Sequence, residues 1–228
     1  MNIERRSYNN VINFRVDEPT SGDTITDEPT SGDTITDEPS GDTKSKGVFY
    51  GYALKFATPS PDYGFIEVID NKALDQEILN KSDIRALFNH DPNLVLARNA
   101  FGQGTLRLSL DNVGLYYEFD DPDTTLSRDL KRNMELGNIT QSSFAFILEE
   151  DSITEIDGKI IRTILKIKEM FDISPVTYPF YPTATSGVRQ RVEDYKKSLE
   201  QKDTIITQTD LSRSNDISKF LRIEKLRY

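Results

Sequence analysis

Between Gly47 and Val176 the apolar residues come in short runs rich in Val, Ile, Phe and Tyr. Turn-forming clusters separate them: Pro59-Ser60-Pro61-Asp62, Phe101-Gly102-Gln103-Gly104, Asp111-Asn112 and Asp157-Gly158. That punctuation excludes long helices and favours strands joined by tight connections. Val48–Ala57, Gly64–Ile69, Leu94–Ala97, Thr105–Leu110, Gly114–Phe119, Thr140–Glu149, Lys159–Lys168 and Met170–Val176 read as strands, preceded by one over residues 3–16. Short helices are expected at Ala73–Leu79, at Asp83–Phe88 behind a Ser82 cap, and at Val188–Lys202. Thr124–Leu136 has the clearest helical signal, with Leu126, Leu130 and Met134 one turn apart and Gly137 in the terminating position. The fold class is mostly β (α+β), antiparallel, with short helices laid on the strands.

One segment breaks the pattern. Asp17–Thr26 reads Asp-Glu-Pro-Thr-Ser-Gly-Asp-Thr-Ile-Thr, recurs unchanged at Asp27–Thr36, and begins again in shortened form at Asp37. Each copy offers a single isoleucine to bury, and Pro and Ser-Gly interrupt any regular element. The repeat therefore reads as a disordered acidic loop insertion rather than a solenoid. Lengthening a surface loop costs roughly 0.6 kcal/mol per doubling, so such an insertion is tolerable. Its acids lack the spacing of an EF-hand.

The insertion also explains the net charge of −10. Nine of the 38 acids lie between Asp17 and Asp42 with no Lys or Arg among them, leaving 29 against 28 Lys and Arg in the rest of the chain. That nearly neutral body carries no footprint for nucleic acid. No apolar run approaches the ~20 residues that span a bilayer, and the opening Met1-Asn2-Ile3-Glu4-Arg5-Arg6 does not resemble a secretory signal. The chain has no cysteine, which excludes disulfides and thiolate chemistry and fits a reducing cytoplasm.

His90 is the chain's sole histidine. With one His and no Cys a zinc site is not expected, and neither a phosphate-binding nor a dinucleotide-binding glycine loop is present. There is no Gly-x-Ser-x-Gly elbow either. What survives is a hydrolase whose serine is activated by His90, the one side chain with an ordinary pKa near neutrality. In Thr140–Ile147 the strand period places Ser142, Phe144 and Phe146 on one face and Ser143, Ala145 and Ile147 on the other. The aromatic face suits a core. The other is small around Ser143 and leaves room for a peptide and an imidazole.

Several blocks, in order, resemble the tailed-phage prohead maturation protease family, serine peptidases distantly related to herpesvirus assemblin. They are Gly51-Tyr52-Ala53, Glu67-Val68-Ile69 with Ala73-Leu74, Ile84 to Asp91 ending in Asn89-His90-Asp91, Gly104 to Leu108, Gly114-Leu115, Gly137-Asn138-Ile139, Ser143-Phe144-Ala145-Phe146, and Phe171 to Val176 with Tyr181-Pro182. The resemblance implies an antiparallel assemblin-like β-barrel and a site of His90 as general base, Ser143 as nucleophile and Asp172 as third member. The family more often has glutamate at the last position, so Asp172 is one methylene shorter; Glu67, Glu118 and Glu169 are the other acids to consider. Ala145, Ala97 and Phe180 also depart from the family's usual glycine, glycine and alanine. For the oxyanion the options are a backbone N–H beside the nucleophile or an arginine such as Arg162.

The same resemblance divides the chain. Residues 1–16 hold the first strand of the protease domain, 17–46 the acidic insertion, 47–185 the protease domain, and 186–228 a charged helix followed by a loose tail. It implies cleavage of the major capsid protein precursor and scaffold segment in the host cytoplasm, inside the assembling procapsid. It further implies self-cleavage, with the chain as its own partner in a homo-oligomer. No cofactor, metal, nucleic acid or membrane is expected. Two rival readings are a catalytically inactive capsid-assembly or scaffold-binding domain of the same fold, and a β-rich binding module whose acidic loop recruits basic partners.

Overall fold

The computed structural model describes residues 3–7, 11–16, 47–178 and 188–201. The acidic repeat and the residues after 201 lie outside that set. The described residues are mostly β with a few helices. One sheet holds β1 (Ile3–Arg6), β4 (Ile66–Ile69), β5 (Asp83–Leu87), β6 (Val95–Ala100), β7 (Gln103–Gly104), β10 (Gln141–Ile156) and β11 (Lys159–Val176). Its order is β1-β10-β11-β5-β6-β7, with β4 also pairing β11. The second sheet runs β2 (Ile12–Val16), β3 (Gly47–Lys55), β9 (Gly114–Asp120), β8 (Arg107–Leu110). The helices are α1 (Gln76–Lys81), α2 (Thr125–Glu135) and α3 (188–201).

Several expectations change, and the strands expected separately at Lys159–Lys168 and Met170–Val176 are one, β11. The single strand expected over residues 3–16 is two, in different sheets: β1 pairs β10 while β2 pairs β3. The helix expected at Asp83–Phe88 is strand β5. Ser82 does cap a helix there, but it ends α1, its N–H and hydroxyl bonding the carbonyls of Leu79 and Ile78. Beyond it Ile84 and Ala86 are buried while Asp83 and Arg85 are half-exposed, a period of two rather than 3.6. The sheet is also mixed, because β4 and β5 both run parallel to β11.

Nor do the described strands form a closed hydrogen-bonded barrel. The two sheets instead meet at two corners. At one, Val11 bridges Gln141 and the Ile12 N–H donates to the Thr140 carbonyl at 3.2 Å. At the other, the Leu106 N–H donates to the Arg98 carbonyl at 3.0 Å, carrying the chain from β7 into β8. Each corner depends on a glycine. A Cβ on Gly51 would lie 2.3 Å from the Val11 oxygen, and one on Gly104 would lie 2.2 Å from the Arg98 oxygen.

The core fills the space between the sheets. Phe49 stacks on Phe119 with ring centroids 5.1 Å apart, and Phe144 on Phe146 at 5.5 Å. Ile69, Ile84, Leu115, Ile164 and Ile173 close around them, all buried. Helix α2 starts in a capping box, Thr124 and Ser127 each bonding the other's backbone N–H, and stops at Gly137 with φ +73°. Helix α3 packs Val188 and Val192 against Phe65 and Ile160.

Candidate active site

The topology brings three distant segments to one end of the larger sheet. β10 enters there with Gln141–Ser143, and its antiparallel partner β11 leaves there with Asp172–Val176. Because β5 lies parallel to β11 at Asp172 and Ile173, its exit loop also emerges at that end. His90 sits in this loop. Asn89 and His90 both have positive φ, 56° and 58°. Two successive left-handed residues are costly, and Asn and His are among the side chains that tolerate the region. The strain is held by neighbours. The Asn89 N–H donates to the Pro175 carbonyl at 3.0 Å, and its side chain exchanges two hydrogen bonds with Thr177, at 2.8 and 3.0 Å.

In that position the imidazole lies between the two other predicted side chains. His90 Nε2 is 2.8 Å from Ser143 Oγ, and His90 Nδ1 is 2.5 Å from Asp172 Oδ1. A carboxylate only accepts, so Nδ1 carries the proton and Nε2 is left to accept from the serine hydroxyl. Asp172 stands where the shorter acid reaches His90. Of the other acids, Glu67 is bound to Arg6 and Arg162, and Glu118 to Arg15 and Arg107.

The strand register builds the floor of this cluster. Ser143 is the cross-strand partner of Ser174, and Ala145 of Asp172. Ser143, Ala145, Asp172 and Ser174 therefore share one face. The opposite face holds Phe144 and Phe146 in the core, as the sequence pattern required. Ser142 is on that face too. Its hydroxyl lies 2.7 Å from Tyr117 Oη, and its carbonyl accepts from Ser7 Oγ at 2.6 Å. Burial holds the Tyr117 phenol well above its ordinary pKa, so it stays protonated and able to donate. The peptide before Ser143 is thus held from both sheets. Ser143 itself has no exposed surface.

Two residues here escaped the sequence reading. Ser174 Oγ donates to Asp172 Oδ1 at 2.6 Å, and strand periodicity alone puts it on the face of Asp172. The second is Arg5. As the cross-strand partner of Ala145 it is an exposed arginine on the face of Ser143, whereas Arg162 is wholly buried among carboxylates. Arg162 is thereby removed as an oxyanion donor. Among the described residues no group of three or more His, Asp and Glu is arranged to hold a metal ion, and no helix is long and apolar enough to cross a membrane.

Comparison with known proteins gives a family. The family model described as caudovirus prohead serine protease matches residues 33–198. No curated protein matches the chain. A solved structure, the capsid assembly protease of bacteriophage T4, superposes with a TM-score of 0.41 at 10% identity, over 76% of this chain and 96% of that one. That likeness is too slight to build on.

Proposed function

The chain belongs to the caudovirus prohead serine protease family, and from that premise we propose that it is a serine endopeptidase acting through Ser143, His90 and Asp172. The observation that carries the reading is the position of the His90 ring, one nitrogen on the Ser143 hydroxyl and the other on the Asp172 carboxylate. A serine hydroxyl alone is a weak nucleophile and needs a base within about 3 Å.

In the proposed reaction Ser143 Oγ attacks the scissile carbonyl while Nε2 takes its proton. Asp172 holds the Nδ1 proton and stabilises the imidazolium that forms. The imidazolium then returns the proton to the departing amine as the C–N bond breaks, leaving an ester on Ser143. Water, deprotonated by the same imidazole, hydrolyses that ester and restores the serine.

The proposed substrates, which the family suggests, are capsid and scaffold precursors within the assembling procapsid, and the chain itself, cut in the charged segment after Ser186. The two linked corners support the finer architectural reading, an assemblin-like barrel left open along its seams. Coexpression with a capsid precursor tests the assignment. The wild type is expected to shorten the precursor and Ser143→Ala to leave its mass unchanged; equal processing by both would refute the nucleophile.

A further inference from the structure

We infer that Ser174 is a fourth, positioning member of this site, fixing the Asp172 carboxylate so that it faces His90. The inference rests on the reading of His90 and Asp172 given above. Asp172 Oδ1 takes two short hydrogen bonds, from His90 Nδ1 at 2.5 Å and from Ser174 Oγ at 2.6 Å. A serine hydroxyl has one proton to give, and here it is given to the oxygen that receives the imidazole.

The carboxylate has few other constraints. Arg85, its cross-strand neighbour on β5, is hydrogen-bonded to Asp83 instead. A carboxylate on a short side chain turns readily about its terminal bond, and turning would carry Oδ1 away from Nδ1. Ser174 blocks that rotation. It is 0% exposed, so in the intact chain its hydroxyl, not bulk water, holds that oxygen. The strand enforces the arrangement, since residues two apart on β11 share a face. The register adds a further link: Ser174 is the cross-strand partner of Ser143, so the residue that orients the acid also abuts the nucleophile.

The test uses the full chain and two variants. Ser174→Ala removes the hydroxyl with little change of volume, and Ser174→Thr restores it. Ser174→Ala is expected to lower kcat about 10- to 100-fold with KM unchanged, and Ser174→Thr to recover most of the loss. Because His90 is the sole histidine, a chain labelled with 15N in its imidazole gives one ring spectrum without assignment work. The Nδ1 proton is expected to exchange slowly with solvent in the wild type and Ser174→Thr, and rapidly in Ser174→Ala. A purely packing role would lower the melting temperature without touching that proton. An unchanged exchange rate, or a loss confined to KM, overturns the inference. The spectrum requires no turnover, so a failed Ser143 assignment and a failed Ser174 assignment are told apart.

Discussion

Toward the turn of the β10–β11 hairpin, Asp151 and Arg162 belong to a cluster of charged side chains; at the other end, Ser143, Asp172 and Ser174 meet His90. Both clusters are largely buried and both join segments far apart in sequence. In the first, Arg162 bonds Glu4, Glu67 and Asp151, Arg6 bonds Glu4 and Glu67, and Arg191 of α3 bonds Asp151. Three acids face three bases, and their charges cancel. Burial opposes ionisation of Glu4 and Asp151, yet both carboxyls are held below their ordinary values: Glu4 by Arg162 and Arg6, Asp151 by Arg191 and Arg162. Burial likewise opposes the charge on Arg162, and its bonds to Glu4, Glu67 and Asp151 outweigh it. The second cluster is a hydrogen-bonded chain from Ser174 through Asp172 and His90, which sits in a strained loop, to the Ser143 hydroxyl. One is a closed set of ion pairs; in the other, the proposed role is to exchange a proton. Burial of polar groups by itself distinguishes neither.

Substitutions should separate the two. Ser143→Ala should cost about 10⁴-fold or more in kcat while the thermal midpoint stays within a few degrees of wild type. A parallel fall in both would mean that the His90 end is also a structural clamp. Arg162→Leu should do the reverse. It leaves buried carboxylates without their cation, a loss of about 3–5 kcal/mol that would lower the melting temperature by about 10 °C. At temperatures where that variant remains folded its kcat should be near normal.

Acid gives a finer division. An unfolded chain protonates Glu4 and Asp151 near their ordinary values of 4.5 and 3.8, whereas the folded chain resists until lower pH. The stability that they contribute is therefore present above that range and is lost as pH falls through it. Urea midpoints taken at pH 6 and pH 3.5 should drop steeply for wild type and less for Arg162→Leu. Arg191→Gln should have the smallest effect, about 0.5–1 kcal/mol, because its guanidinium is half exposed and Asp151 keeps Arg162.

The two regions also differed in how far the sequence disclosed them. Ser143, His90 and Asp172 stand in blocks whose order and residue types narrow the chemistry, and alternation along Thr140–Ile147 gave the correct core face. The ionic cluster gave no such signal. Glu4, Glu67, Asp151, Arg162 and Arg191 are scattered along the chain, and only the pairing of β1 and β4 with the hairpin assembles them. Local signals failed where one residue served a different neighbour. Ser82 is a true helix cap, but of the helix before it, and β5 is a strand because β11 and β6 flank it. Nothing between Arg6 and Ile12 announced that the chain changes sheets.

The claim most open to direct attack is that His90 activates Ser143. Reaction of the purified chain with a fluorophosphonate, followed by peptide mass mapping, measures it. The expected result is one adduct on Ser143 in the wild type and none in His90→Ala. An adduct on Ser174 or any other serine, or labelling of Ser143 that is indifferent to the loss of the imidazole, would contradict the account.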